Sequence, residues 1–353
     1  MEPYPGAELG AYRIERKVGE GAFGAVWCGS HVDTGERVAL KVLLPAAAAN
    51  PEQVSRFHRE AKLLALVRTP NVARMVDFLV DAQFGVVLVM ELIDGELLSD
   101  LLGAGLIGVE ETIDIGAQIL EGVCDLHAAG IIHRDLKPNN IMLCTKSDGT
   151  RRVVIFDLGL SRFVRATAAA ESTRSLTGSH VALGTLECIA PEQILNARDV
   201  TERSDIYSVG SILYRAITGY YPFAADDEHD LARRKLTIET PEIVIAPMDP
   251  VAEGLRTIVT KASRRRPAQR YESARQMRDD LLALRAVADA RKAAKAPRPP
   301  TPDGDRAYRA RLPTLDPEGR VVEKSSRLRP VVVGITVFSV LIGAAMAWTS
   351  LHR

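Results

Sequence analysis

The stretch "IIHRDLKPNNIML", residues 131–143, places a group of polar side chains between apolar residues. Asp135 is followed two positions later by Lys137 and five positions later by Asn140. Seventeen residues after Asn140, an apolar run ends at Asp157. Carboxylate and amide oxygens on turns that leave strands suit Mg²⁺ and leave room for phosphate oxygens. A further carboxylate can accept the proton of an attacking hydroxyl. Each piece alone could be a plain turn or a helix-terminal cluster, but their joint occurrence in this order is very unlikely to arise by chance.

A glycine-rich stretch, "GEGAFGAV" at residues 19–26, precedes this site. Its glycines fit the pattern G-x-G-x-x-G, which in dinucleotide-binding proteins leads directly into a helix. Here β-branched residues, a turn at residues 33–35 and a second strand-like run follow instead. The glycines are therefore predicted to connect two antiparallel strands. The sequence also contains no G-x-x-x-x-G-K-[ST] motif, which excludes a Walker-type phosphate loop.

Val26 and Lys41, which follow the glycines in the sequence, are suited to contact a nucleotide. Val26 can cover a flat base, and Lys41, at the end of "VALK", can reach phosphate oxygens. A lysine on a buried strand needs a partner, because an unpaired buried charge is costly. The candidate partner is Glu60, which lies beside an apolar helical face. Spacing alone favours the alternative that Glu60 is a solvated surface residue among basic neighbours.

Together these motifs resemble those of the eukaryotic-type (Hanks-type) serine/threonine protein kinases, and the chain as a whole resembles their bacterial membrane-anchored members. The resemblance covers residues 12–285. It implies an α+β, bilobal protein-kinase fold with a small antiparallel β-rich N-lobe and a larger helical C-lobe. The matching motifs are "GEGAFGAV" (19–26), "VALK" (38–41), Glu60, "HRDLKPNN" (133–140), "DLG" (157–159), "APE" (190–192) and "SDIYSVG" (204–210).

The resemblance implies a role for each matching residue. Asp135 is the catalytic base, and Lys137 contacts the γ-phosphate as in serine/threonine-specific kinases. Asn140 and Asp157 hold Mg²⁺. Lys41 holds the α- and β-phosphates of ATP and pairs with Glu60. The remaining positions implied to contact ATP are Val18, Gly19, Glu20, Gly21, Ala22, Gly24, Val26, Ala39, Met142 and the backbones of Glu91 and Ile93, which follow Met90.

Two further roles follow from the same resemblance. Asp205 orients the catalytic loop, and Arg270 pairs with Glu192. Residues 160–189 are rich in hydroxyl groups, and a phosphate added there could pair with Arg134 and order the loop. Disorder of a polar, alanine-rich loop is the alternative.

Some residues depart from the commonest family pattern. Leucine stands in the middle of "DLG", where apolar packing is preserved and activity is expected to survive. Leu186 and Cys188 occupy the stretch that accepts the substrate residue after the target, so substrate preference is left open. Cys188 is interpreted as a packed cysteine rather than a redox-sensitive one. Thr185 resembles the family threonine that contacts Asp135.

Composition sets limits on the partners. Lys plus Arg equals Asp plus Glu at 45 each, so no global charge attracts nucleic acid. The four cysteines show no C-x-x-C spacing, which argues against a zinc site or disulfide framework and fits a reducing compartment. Residues 286–330 are predicted to be a basic, Pro-rich linker, with 11 Lys/Arg against 5 Asp/Glu in residues 291–329.

The last part of the chain predicts a transmembrane helix. Residues 331–351 carry no charge, and 21 residues at about 1.5 Å each span a hydrocarbon core of about 30 Å. Basic residues before the span place the kinase domain in the cytoplasm, at the cell membrane, with two residues beyond the span and no external ligand-binding module. Ser339, Gly343 and Ala347 lie four apart, a spacing that fits a homodimer through this helix and the kinase domain. A chance spacing of small residues in a simple anchor is the alternative.

The expected partners are therefore ATP, protein substrates and the lipid bilayer, with Mg²⁺ as cofactor and no nucleic acid. Two other classes remain as alternatives. A pseudokinase scaffold is disfavoured because Lys41, Glu60, Asp135, Asn140 and Asp157 are all present. A small-molecule kinase of the aminoglycoside type is disfavoured by Lys137 and the "APE" segment.

Overall fold

The N-terminal part of the chain forms six strands: β1 (Glu8–Leu9), β2 (Tyr12–Gly21), β3 (Gly24–His31), β4 (Arg37–Leu43), β5 (Met75–Asp81) and β6 (Gly85–Glu91). They form one antiparallel sheet in the order β1-β2-β3-β4-β6-β5. Its inner strands alternate apolar residues that pack around Trp27 and Leu40. A helix, α1 (Pro51–Leu66), lies between β4 and β5 in the sequence and packs Ala61 and Leu64 against Val86 and neighbours.

The glycine-rich stretch connects β2 to β3, as the sequence predicts. Gly19 pairs with Val26, and Gly21 pairs with Gly24, across an antiparallel register. Gly24 has a φ of 147°, and a Cβ there would lie 2.0 Å from the carbonyl oxygen of Val42. Only glycine fits that position, because a side chain would collide with backbone on the next strand.

The C-terminal part is mostly helical. The helices after α1 are α2 (Leu98–Ala104), α3 (Val109–Ala128), α4 (Pro191–Leu195), α5 (Glu202–Thr218), α6 (Glu228–Thr237), α7 (Pro250–Ala262) and α8 (Ala274–Lys295). Helix α5 is the centre of this part, since nearly every residue from Ser204 to Ile217 is buried. Helices α3, α7 and α8 pack around it in one apolar core.

A small three-stranded antiparallel sheet adjoins the helical part. It has the order β7 (Glu96–Leu97), β8 (Ile141–Thr145) and β9 (Arg151–Ile155). The α+β, bilobal kinase fold predicted from the sequence, with a β-rich N-lobe and a helical C-lobe, is confirmed. The computed structural model describes residues 3–21, 24–43, 51–157, 186–196, 199–244 and 249–295, together with the backbone of 314–315 and 321–322.

Helix α8 runs ten residues beyond Arg285, where the sequence places the start of a linker. The extension is held to the helical core, because Ala288 is buried and Arg285 Nε lies 2.7 Å from Asp114 Oδ1. Lys292 also forms an ion pair with Glu110. Alanine-rich sequence with such anchors favours helix over linker. Residues 286–295 therefore correct the predicted linker boundary, and the first compact unit ends at Lys295.

The second unit, residues 296–353, contains one described feature. Strands β10 (Thr314–Leu315) and β11 (Val321–Val322) pair antiparallel. The predicted span at 331–351 and most of the predicted linker lie outside the described residues. Within the described ranges, none of the helices combines the length and the apolar character needed to cross a membrane.

Candidate active site

Asp135 lies in the loop between α3 and β8, and two side chains from the same loop contact it. Lys137 Nζ lies 3.0 Å from Asp135 Oδ2. Asn140 Nδ2 donates to the main-chain oxygen of Asp135 at 2.8 Å and to its Oδ2 at 3.3 Å. A short 3₁₀ helix, Pro138–Asn140, makes the turn that brings Asn140 back to Asp135. The carboxylate is thus held by a cation and an amide, in a position to accept a proton.

The conformation of this loop depends on Asp205, which is fully buried at the start of α5. Asp205 accepts hydrogen bonds from the backbone N–H groups of His133 and Arg134, both at 2.9 Å. Arg134 has a φ of 65°, a left-handed conformation that non-glycine residues rarely adopt and that costs of order 1 kcal/mol or more. The two hydrogen bonds offset that strain. The contact between Asp205 and the catalytic loop that the resemblance implies is therefore present.

Two histidines complete this anchor. His127 Nε2 lies 2.8 Å from Asp205 Oδ2. Burial lowers the pKa of His133, so its imidazole stays neutral and its Nδ1 accepts the backbone N–H of Asp135 at 3.3 Å. Sequence reasoning missed His127, because a histidine near the end of an amphipathic helix carries no signal of the carboxylate that meets it 78 residues later.

Asp157 follows β9 and meets Lys41 from the N-lobe sheet. Asp157 has a φ of 53°, so it also lies in the left-handed region. Its Oδ1 forms an ion pair with the ammonium group of Lys41, which is almost wholly buried. The backbone of Glu60 lies in α1, but its side chain lies outside the described residues. The pairing of Lys41 with Glu60 therefore stays a prediction.

The positions predicted to contact ATP lie on neighbouring strands and the segment after β6. Val26 pairs with Lys41 across β3 and β4, and Ala39 pairs with Met90 across β4 and β6. The N–H of Glu91 donates to Arg74 O at 2.9 Å, so an adenine contact at Glu91 has to use its carbonyl. Of the other positions, Ala22 lies outside the described residues, Val18 is half exposed, and Ile93 and Met142 are partly buried. Gly19, Glu20 and Gly21 end β2, and Gly24 begins β3.

The donor set at this site fits a divalent cation that is bound mainly through phosphate. Asn140 uses its amide nitrogen on Asp135, which leaves its amide oxygen for a ligand. Asp157 supplies carboxylate oxygens from the next strand end. In the described ranges, no three His, Cys, Asp or Glu side chains converge as a metal cage. Mg²⁺ is commonly bound by one or two protein oxygens and completed by phosphate and water.

Residues 186–190, here called the acceptor segment, lead into α4. Gln193 Oε1 accepts the N–H of Ala190 at 3.3 Å, and Gln193 Nε2 donates to Arg134 O at 2.9 Å. Gln193 therefore ties the acceptor segment to the catalytic loop, a role that the sequence analysis missed. Ser208 Oγ donates to Cys188 O at 2.9 Å. Thr185 lies outside the described residues.

Cys188 is 1 % exposed, and burial raises the pKa of its thiol to about 12. A buried, protonated thiol is a poor nucleophile. The structure therefore supports the interpretation of Cys188 as a packed residue.

An ion pair between Glu192 and Arg270 lies behind the acceptor segment. It is bidentate, with distances of 2.7 and 2.8 Å. Burial acts to raise the pKa of Glu192, but hydrogen bonds from Arg270 and Ser204 outweigh it, and the pKa is lowered. Arg270 also donates to the carbonyl oxygens of three residues, Arg203, Arg264 and Arg265. The pair implied by the resemblance is present and fully hydrogen-bonded.

Comparison with known proteins gives a consistent result. The family described as protein kinase domain matches residues 12–282. Serine/threonine-protein kinase pkn2 of Myxococcus xanthus is 35% identical over 282 residues, which is 80% of this chain and 33% of that protein. Serine/threonine-protein kinase PknA of Mycobacterium tuberculosis is 33% identical over 321 residues, which is 89% of this chain and 69% of that protein.

A solved structure, the kinase domain of Mycobacterium tuberculosis PknI, has the same fold. It aligns with a TM-score of 0.58 at 23% identity, and covers 80% of this chain and 99% of that one. The chain spans about a third of the length of pkn2 and about two thirds of that of PknA.

Proposed function

The chain belongs to the protein kinase family, and from that premise we propose that it transfers the γ-phosphate of ATP to serine and threonine hydroxyls of proteins, including its own. The observation that carries the proposal is the arrangement at Asp135, with Lys137 Nζ at 3.0 Å and Asn140 at 2.8 Å. Relatives named serine/threonine-protein kinases support the choice of hydroxyl acceptor.

The residues divide the work of transfer. Asp135 aligns the acceptor hydroxyl and takes its proton as the oxygen attacks the γ-phosphorus. The bond from the γ-phosphorus to the β–γ bridging oxygen breaks, and ADP leaves. Lys137, beside Asp135, is placed to neutralise charge on the moving phosphoryl group. Lys41 positions the α- and β-phosphates from the N-lobe side.

Members of this family depend on ATP and a divalent metal ion, and we propose Mg²⁺ here, held by Asn140 and Asp157. When bound, the ion neutralises charge on the phosphates. Replacing Asp157 by asparagine removes a carboxylate ligand. We expect a higher Mg²⁺ requirement for ATP binding, measured by titrating Mg²⁺ against a fluorescent ATP analogue.

The proposed transfer is tested with the full chain, radiolabelled ATP, Mg²⁺ and dephosphorylated casein. Asp135→Asn should bind ATP nearly as the parent does but lose transfer by a factor of about 10³ or more, because it removes the proton acceptor. Lys137→Arg, which keeps the positive charge beside Asp135, is the matched control and should retain more activity. Label incorporated by Asp135→Asn at the parental rate would contradict the role of Asp135.

We also propose that residues 331–351 anchor the chain in the cell membrane with the kinase domain in the cytoplasm. Support comes from the 21 uncharged residues and from the basic residues before them. A chain that ends at Arg329 should appear in the soluble fraction after cell lysis, while the parent resists extraction with alkaline carbonate. Equal extraction of both chains would contradict the anchor.

A homodimer through this segment is the remaining proposal, supported by the spacing of Ser339, Gly343 and Ala347. Two anchored chains would raise the local concentration of one kinase domain near the other and favour phosphorylation between them. Gly343→Ile should keep membrane insertion but lower crosslinked dimer and phosphorylation of residues 160–189. Ala345→Ile, which adds similar bulk on the opposite face of the predicted helix, is the control. Unchanged dimer in Gly343→Ile would leave only an anchor.

A further inference from the structure

A buried lysine on α6 holds the acceptor segment. Lys235 is 1 % exposed, and its Nζ donates hydrogen bonds to the main-chain oxygens of Leu186 and Glu187, both at 2.8 Å. The same Nζ lies 5.1 Å from the ring centre of Tyr207 on α5. The lysine therefore connects three parts of the C-lobe that are distant in sequence.

The charge on Lys235 has no carboxylate partner among the described residues. Around it, Glu192 is hydrogen-bonded to Arg270, whose own positive charge disfavours a second cation nearby. Burial raises the pKa of Cys188 and of Tyr207, so both are neutral near pH 7. Burial also raises the pKa of Glu187, whose side chain is the remaining acid near the ammonium group.

Two carbonyl groups are therefore the direct hydrogen-bonding compensation for this buried cation. Removing a charge from water without a counter-ion is costly, and such groups tend to lose their charge near neutral pH. Burial lowers the pKa of Lys235 to about 7. The ammonium and the neutral amine are then both populated at physiological pH.

We infer that Lys235 is a positioning residue for the proposed phosphotransfer, which holds residues 186 and 187 of the acceptor segment firmly while it is protonated and loosens them when it loses its proton. The inference rests on the proposed function, because it assigns a consequence for acceptor binding. Hydrogen bonds from a charged donor are about twice as strong as those from a neutral one. The attraction between the ammonium and the ring of Tyr207 also disappears on deprotonation.

The effect should fall on the acceptor and not on ATP. Gln193 links the acceptor segment to the catalytic loop by a hydrogen bond to Arg134. The negative charge of Asp135 also acts on the thiol of Cys188 within that segment, where it adds to the effect of burial in raising the pKa. Among the described residues, the contacts of Lys235 are with Leu186, Glu187 and Tyr207 and not with the proposed nucleotide site, so we expect ATP binding to be unchanged. A looser acceptor segment then predicts a higher KM for the protein substrate with little change in the KM for ATP.

The first test measures the segment without needing catalysis. Hydrogen exchange of the amides of residues 186–190 is compared between the parent and Lys235→Met at the same pH, so that the chemical exchange rate cancels. We expect the parent to be protected about tenfold more at pH 6, with the ratio falling towards one at pH 8.5. Lys261→Met is the matched control, since Lys261 also lies over a tyrosine ring, at 3.9 Å, but far along the chain from this segment.

The second test measures transfer to dephosphorylated casein at pH 6, 7 and 8. In the parent, the KM for casein should rise severalfold with pH while the KM for ATP stays constant. In Lys235→Met, the KM for casein should be high and independent of pH. Lys235→Arg, which stays charged throughout, should keep a low KM for casein at every pH.

The outcomes distinguish a failure of the role inferred for Lys235 from a failure of the proposed kinase function. A protection ratio of one at both pH values would show that Lys235 does not hold the segment. An equal, high ratio at both pH values would overturn its dependence on the proton. Normal hydrogen-exchange results, together with no transfer of label by the parent to casein or to itself, would instead overturn the proposed kinase function.

Discussion

Arg270 and Lys235 are two buried cations in the same lobe, and both lie against the ring of Tyr207, at 4.8 and 5.1 Å. Arg270 has a carboxylate partner in Glu192 and donates to three backbone carbonyls. Lys235 has two backbone carbonyls and no carboxylate at ion-pair distance within the described residues. One cation is a permanent structural element, while the other is balanced between two protonation states.

The difference follows from the chemistry of the two side chains as well as from their partners. Arginine stays protonated in proteins and its planar fork matches a carboxylate. Lysine carries a compact charge that shifts its pKa readily when it is buried. A buried arginine paired with a carboxylate therefore gives rigid support at any pH. A buried lysine without a carboxylate partner gives support that depends on pH.

The largest effect on the free energy of unfolding is expected when the ion pair between Arg270 and Glu192 is broken. Arg270→Met leaves the buried Glu192 carboxylate without its partner and leaves three carbonyls without a donor. Removing one partner of a buried pair typically costs about 3–5 kcal/mol. Denaturation by urea should show this loss in the free energy of unfolding. Arg256→Gln, which breaks a partly exposed pair with Glu253, is the control and should change stability much less. A loss in Arg270→Met no larger than in the control would contradict the structural role.

A smaller effect, with a distinct pH dependence, is expected from Lys235. Its pKa is about 7 in the folded chain against an ordinary value of 10.5, so the unfolded chain binds more protons between these values. Stability of the parent relative to Lys235→Met should therefore rise with pH, by about 1 kcal/mol for each unit above pH 7. Below pH 7 the difference should stay constant, because the lysine is protonated in both states.

This stability trend runs opposite to the trend proposed for acceptor binding, which weakens as pH rises. The two measurements therefore separate a lysine that is merely buried from one that positions the acceptor segment. A difference in unfolding free energy between the parent and Lys235→Met that does not vary between pH 6 and 9 would show that Lys235 does not titrate in this range.

The smallest effect is a difference in the labelling rate of Cys188, which follows the two residues whose carbonyl groups accept hydrogen bonds from Lys235. Because burial raises its thiol pKa to about 12, iodoacetamide at pH 8 should label Cys188 far more slowly than Cys144, which is partly exposed. Mass spectrometry of the labelled peptides gives the ratio. Between pH 8 and 8.5, the labelling rate of Cys188 should rise with the fraction of thiolate. A larger rise than this would indicate that the acceptor segment has loosened. Rapid labelling at pH 6 would contradict the closed packing.

Much of the fold and of the candidate site could be predicted from the sequence, because the relevant residues are close together along the chain. Asp135, Lys137 and Asn140 lie within six residues, so one turn can bring their side chains into contact, although Asp205 holds the conformation of that loop. The β2–β3 glycines likewise act within a single hairpin. The alternative of a solvated Glu60 is not decided, since that side chain lies outside the described residues.

The sequence by itself thus determined the candidate reacting groups, through their local spacing, and the kinase fold class, through the resemblance of its ordered motifs to the protein kinase family. The tertiary structure alone decided which buried charges are paired. Lys235 meets its carbonyls across 49 residues, and Arg270 meets Glu192 across 78. It also decided that α8 continues to Lys295, because the ion pair of Lys292 with Glu110 joins residues 182 positions apart. Such contacts depend on how helices pack in three dimensions, and no local pattern in the sequence encodes the protonation balance that results.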